Sequence, residues 1–350
     1  MLTAFVAFLL AQASTDLDVA LDRLAAVRPG DGAAYVTERE KVLALGKDSI
    51  AGLAERGAPD RWTESGWVRA MAAESCRLRL ANPELAAAID RPDGLDPAHY
   101  RLLRTGAPMV LRDFARRGAD AVPLLLERWR WTYTHLTFSE GEAGAKERAV
   151  LRNGILELPG RVADPRARYF LAEILASKES DDVWRQDAAV SLGMTGGTSA
   201  LPKLTAILDE TPQSASVREA CARALGRVAD ASALEAIRTR VNGEKDALVR
   251  RSFLHGLGIL GSSWAWTSRG KEAASMAETV RAGCAETLVD AIRRHPAESE
   301  TIGMALAMTA WAPSLASVES LATDGSVSSD VKAAATKIVP GLRQALSRKR

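Results

Sequence analysis

Apolar residues fall at helical spacing along most of this chain. Leu201, Leu204, Ile207 and Leu208 mark one face of a three-turn helix, and Met276, Val280, Cys284, Leu288 and Ile292 mark a longer one. Nearer the N-terminus the same spacing predicts helices over Tyr35 to Leu45 and Asp48 to Arg56. The pattern is also periodic on a larger scale. Trp184 to Gly193 (WRQDAAVSLG), Val217 to Gly226 (VREACARALG) and Val249 to Gly258 (VRRSFLHGLG) align without gaps. Each has an apolar residue first, Arg second, and Leu-Gly at the end. A degenerate fourth copy begins at Val331, with Lys332 for Arg and Pro340 for Gly.

A second segment follows each Leu-Gly. Ser199-Ala200-Leu201-Pro202-Lys203-Leu204 matches Ser232-Ala233-Leu234-Glu235-Ala236-Ile237, with related copies at Ala121 to Leu125 and Ser314 to Val318. The unit is therefore helix, Gly-containing turn, helix. Gly193 and Gly226 stand where a helix C-terminus accepts a left-handed residue. Pro123 and Pro202 stand in the first turn of the second helix, where a missing N–H costs little. The Gly193 to Gly197 run (GMTGG) is an inter-helix turn rather than a phosphate loop, since helices flank it and no Lys-Ser/Thr follows.

Val217, Arg218, Cys221, Ala224, Leu225 and Gly226 resemble the HEAT-repeat family, in the short bacterial form first recognised in bilin lyases. The resemblance is clearest over 181–261 and weaker over 97–177 and from Pro296 onward. It implies an all-α fold: an α-solenoid of about five to seven stacked antiparallel helix pairs with degenerate terminal pairs as caps. One pair cannot bury its own apolar face, and stacking creates the shared core. The expected organisation is an N-terminal apolar segment over 1–13, a helical region over 14–96, and the repeat array over 97–346.

The array has one interruption. SSWAWTSRGKEAAS separates Gly261 from Met276, placing an inserted loop over 262–275 that carries Trp264, Trp266, Arg269 and Lys271. Insertions in repeat proteins go to loops on one face, which makes this loop a candidate binding surface. Arg185, Arg218, Arg250 and Lys332 share one repeat position, so stacking lines them up as a basic ladder. That ladder is either a docking strip or a set of local ion pairs. Asp181 and Asp246 lie four residues before Arg185 and Arg250, the spacing of a helical pair, with Ser214 and Ser328 at the other two equivalent positions.

A rival surface lies between Arg112 and Tyr133. It combines Arg112, Arg116, Arg117, Arg128 and Arg130 with Trp129, Trp131 and Tyr133, a mixture that can hold single strands or flipped bases, as HEAT-like DNA glycosylases do. Asp113, Asp120 and Glu127 interrupt it, and Trp129 is spaced from Leu125 and Leu126 as a core residue.

Met1 to Ala13 reads MLTAFVAFLLAQA, an apolar core followed by a small-x-small motif that sets a cleavage before Ser14 and directs the chain to the periplasm or outside the cell. The run is too short to span a bilayer of ~30 Å. The three cysteines, Cys76, Cys221 and Cys284, are neither a disulfide framework nor a metal-binding set; Cys221 falls on an apolar stripe, and a single Cys221–Cys284 bridge stays open. His99, His135, His255 and His295 have no second ligand at metal spacing.

Composition agrees with the helical reading. The 350 residues include 63 Ala and 41 Leu, whereas Val, Ile, Phe and Tyr together number 42. The net charge of +2 excludes a wholly basic nucleic-acid wrapper. No nucleophile elbow, phosphate loop or dinucleotide glycine pattern occurs, so no catalytic residue, metal or cofactor is implied. The expected function is non-enzymatic binding or scaffolding of another protein, on a concave face or through the inserted loop. The alternatives are a DNA-acting glycosylase-like enzyme and a bilin-lyase-like protein.

Overall fold

A computed structural model describes residues 2–90, 121–130, 156, 158–195, 197–210, 213–266 and 273–348. Among them all regular structure is helical, and no strand occurs. The chain forms two compact units, Met1–Phe170 and Leu171–Arg350. The clearest repeats lie wholly in the second.

The first unit contains α1 (Leu2–Ala25), α2 (Gly32–Leu43), α3 (Ile50–Arg56), α4 (Trp67–Ala81), α5 (Pro83–Asp90) and α6 (residues 121–130). Helix α4 is its centre and packs against α1, α2, α3 and α5. Trp67, Met71, Cys76 and Leu78 are among its buried residues. The expected cleavage point falls inside α1, which is continuous from Leu2 to Ala25. The buried leucines Leu17, Leu21 and Leu24 all follow that point, at helical spacing. Helix α6 belongs here because Trp129 meets Phe170 edge-on at 6.1 Å between centroids, and Phe170 meets Trp67 in the same way at 6.2 Å.

The second unit begins within α7 (Arg168–Ala176) and continues through α8 (Asp182–Thr195), α9 (Leu201–Asp209), α10 (Ala215–Leu225), α11 (Ala231–Val241), α12 (Ala247–Leu260), α13 (Ser263–Trp266), α14 (Ala274–Arg294), α15 (Ser299–Thr309), α16 (Ala312–Thr323) and α17 (Ser329–Ser347). These form two layers. Helices α8, α10, α12, α15 and α17 pack successively side by side, and α9, α11, α14 and α16 follow the same order in the second layer. The core runs between the layers: Leu192, Leu225, Leu257 and Leu306 stand at equivalent positions of four first-layer helices and are all buried. Helix α15 completes the first layer although it lacks the Val-Arg opening. Its Ile302, Ala305 and Leu306 supply the buried face instead.

The repeat glycines serve a different purpose from the one their position suggests. Gly226 has φ −63° and ψ −18°, ordinary right-handed helical values, and Gly193 lies inside α8. The left-handed residue of the first turn is Gly197, at φ 52°. Gly193 and Gly226 are needed for proximity. A Cβ on Gly193 would lie 2.5 Å from the Ala224 carbonyl oxygen, and one on Gly226 would lie 2.3 Å from that of Gly256. The first-layer helices therefore touch backbone to backbone. At Gly258 the same contact is made with α15, where a Cβ would lie 2.8 Å from Ala305 Cα.

The residues four before each repeat cation are also reassigned. Asp181 and Asp246 do not form the helical ion pairs that their spacing allows; they cap their helices. Asp181 accepts from the Val183 N–H at 2.9 Å, and Asp246 accepts from Leu248 N–H at 2.8 Å and Val249 N–H at 3.3 Å. Ser214 and Ser328 do the same for Val217 and Val331. One capping position thus opens all four copies, worth about 1 kcal/mol each by the usual cost of losing a cap.

Candidate binding site

Freed from their expected partners, the ladder arginines reach the turn that leads into the next first-layer helix. Arg185, 5% exposed, donates from Nη2 to Gln213 Oε1 at 2.8 Å and from Nε to the Leu175 carbonyl at 3.0 Å. Arg218 pairs with Glu244. Arg250 pairs with Glu298 at 2.7 Å and donates to the Glu244 carbonyl, also at 2.7 Å. Gln213, Glu244 and Glu298 each stand just before a first-layer helix. The ladder consequently ties one repeat to the next, and its guanidinium groups point into turns. Glu244 and Glu298 lie at no motif position, so spacing along the chain does not reveal them.

The inserted loop behaves differently. Its two tryptophans, two residues apart, have opposite surroundings. Trp266 is buried, and its indole N–H donates to the Leu260 carbonyl at 2.8 Å, which fastens the short α13 to the end of α12. Trp264 is 58% exposed. The Arg227 guanidinium sits over its ring, 5.5 Å from the centroid, and Arg227 Nη1 lies 3.3 Å from Met194 Sδ. One anchored tryptophan therefore presents the other. Arg269 and Lys271 lie outside the described residues.

Close to this edge stand Arg223 and His255, which occupy the same repeat position in α10 and α12. Burial, followed by the charges of Arg223 and Arg227, lowers the proton affinity of His255 below that of an ordinary imidazole. The edge is cationic even with His255 neutral.

In the first unit, Arg112, Arg116, Arg117 and Trp131 lie outside the described residues. Arg130 places its guanidinium over the Trp67 ring at 5.2 Å, and Arg128 is half-buried. Trp129 is a core residue, as its spacing from Leu125 and Leu126 requires. Between them, Glu127 is 2% exposed and accepts from Arg79 Nη2 at 2.9 Å, with Arg39 Nη1 at 3.5 Å. Arg79 also pairs with Asp90 at 2.5 Å. Burial and the neighbouring Glu127 carboxylate push the Tyr35 hydroxyl well above the usual phenol range. Glu127 thus joins α6 to α2 and α4 from inside the core.

A cleft of about 460 Å³ in the same unit is lined by Asp18, Arg56, Arg61 and Arg69, among others. Arg56 donates to both oxygens of Asp18 at 2.7 and 2.6 Å and to Ser14 Oγ at 2.8 Å; Arg69 pairs with Asp22 at 2.6 Å. The Arg56 bonds hold the Asp18 carboxyl well below its ordinary range against the opposing effect of burial. Arg56 and Arg69 are occupied in fastening α1 to α3 and α4.

All three cysteines are free and buried, so Cys221 and Cys284 are not bridged. Burial pushes both thiols up to about 12, which makes them packing groups with little thiolate at neutral pH. Among the described residues no group of three His, Cys, Asp or Glu is placed to hold a metal ion, and no helix is long and apolar enough to cross a membrane.

The second unit is thus an all-helical, two-layered stack with one aromatic, cationic edge. No known protein family matches the chain, and no characterised protein does.

Proposed function

We propose that this chain is a non-enzymatic HEAT-like repeat protein that binds another protein through the Trp264 edge. The observation carrying this reading is the division of labour in the inserted loop: Trp266 is buried to fix a four-residue helix whose remaining tryptophan faces solvent against Arg227. A large aromatic ring held rigid beside a guanidinium is the composition of a binding hot spot, because little side-chain entropy remains to be lost on association. The ladder arginines support the same division, since they serve the stack rather than a ligand.

A photo-crosslinking residue in place of Trp264 is expected to give a discrete protein adduct in cells. The same residue in place of Lys178, 74% exposed on the same unit, should give none. Equal labelling from both positions would overturn the reading.

The proposed location is outside the cytoplasm. The support is the apolar run Leu2 to Leu10, the Ala11-Gln12-Ala13 motif, and the sequence Ser14-Thr15-Asp16-Leu17-Asp18 after it, which is itself a helix-start signature. Cell fractionation with intact mass tests it. A chain beginning at Ser14 in the exported fraction is expected; a full-length chain in the cytosol would exclude export.

A further inference from the structure

The second unit carries a feature that scaffolding alone does not call for. Three successive first-layer helices and the inserted loop bring Met194, Arg223, Arg227, His255 and Trp264 to one edge. We propose that these five side chains form a docking site for an acidic linear segment of a partner protein that also bears a large apolar side chain. This rests on the reading of the Trp264 edge as a binding surface and adds the chemistry of the partner.

Charge complementarity selects that occupant. Arg227 is fixed from two sides, by Met194 Sδ at 3.3 Å and by the Trp264 ring at 5.5 Å. Arg223 lies one helical turn earlier on the same face and is 40% exposed, with the Glu219 carboxylate no nearer than 3.8 Å. That distance leaves its strongest donor capacity for an incoming carboxylate. Both guanidinium charges act on His255, the equivalent residue of the next helix. The Trp264 ring, 58% exposed, supplies a flat apolar platform beside this cationic row. A carboxylate spaced a few residues from a Phe or Leu satisfies both halves of the site.

The same geometry disfavours a nucleic acid. A phosphate backbone needs a continued line of cations, because affinity grows with each phosphate neutralised. Here the Glu219 carboxylate, 3.8 Å from Arg223, breaks the line of cations. An extended peptide with its own alternation of charge and apolar groups tolerates such breaks.

The test uses the full chain and two fluorescein-labelled peptides, one alternating Glu with Phe and one alternating Lys with Phe, followed by anisotropy. Single-stranded DNA of mixed sequence is the third probe. The Glu-Phe peptide is expected to bind, to weaken as salt is raised, and to lose about tenfold in affinity on Arg223→Gln and again on Trp264→Ala. Lys203→Gln, on the exposed side of α9, should leave affinity unchanged. Arg223 and Trp264 are both exposed enough that a weakened complex with an unaltered circular dichroism spectrum reports the site rather than misfolding. Equal binding of the Lys-Phe peptide, tighter binding of DNA, or wild-type affinity in both variants would overturn the proposal. A discrete crosslink from position 264 together with peptide binding blind to charge would remove the acidic partner and keep the scaffold. Loss of both would remove the two readings together.

Discussion

Replacing Gly226 by Ala should destabilise the second unit by about 3 kcal/mol or more, although alanine is the better helix former. The backbone at Gly226 is right-handed, so alanine meets no conformational penalty there. By itself that would predict a gain of about 0.5–1 kcal/mol. The contact reverses the sign. The new methyl would lie 2.3 Å from the Gly256 carbonyl oxygen and 2.6 Å from its Cα, and neither atom can move without displacing α12. A closely packed interior converts such an overlap into separation of the two helices and loss of the contacts around them. Gly341→Ala is the matched control. It lies inside α17 with open space around it, so stability should rise by about 0.5–1 kcal/mol. Urea denaturation measures both. A Gly226→Ala protein as stable as the parent would mean that the helices are not in backbone contact.

The second large effect is expected at Glu127. Glu127→Ala leaves the buried guanidinium of Arg79 with one carboxylate fewer and leaves Arg39 with Glu40 alone of its two carboxylate neighbours. Breaking a buried pair from one side costs about 3–5 kcal/mol, because the surviving charge stays desolvated. Glu127→Gln should lose less, since the amide keeps one acceptor oxygen for Arg79. The expected order of stability is therefore parent, then Gln, then Ala. The Ala protein should show loss of α2 protection in hydrogen exchange, because Arg39 lies on that helix. Equal stability of all three would show that the carboxylate is hydrated and that the α2–α4–α6 contact does not depend on it.

The two residues also mark how far the sequence is readable. The helical fold, the paired unit and the repeat register are visible because they rest on spacing: Leu at one position, Arg at another, Leu-Gly at the end. The burial of Cys221 and Trp129 follows from the same spacing. Gly226 is visible as a recurring slot of the repeat but not in its meaning, since left-handed turn and close approach select the same residue. Only the dihedral angle and the distance to Gly256 separate them. Glu127 was legible only as an acidic break in a basic run, because its partners come from residues 35, 39 and 79. Helix α15 carries no motif, and its place in the first layer is set by what Gly258 and Gly261 leave room for. Trp264 and Trp266 differ by two positions in one short helix. No periodicity over four residues can say which of them is buried.

The arginine ties and the glycine contacts have a shared property: each involves only the adjacent repeat. Arg218 uses Glu244, in the turn before the next first-layer helix, and Gly193 uses Ala224, in the next first-layer helix. A duplicated copy of residues 214–245 would bring its own Ser214 cap and its own Glu244 as acceptor for its own Arg218. The stack can therefore lengthen by internal duplication, with the glycine contact at the new junction as the part to be refitted. Such a molecule can change the span of its surface in whole-repeat steps, while the edge at Trp264 stays intact.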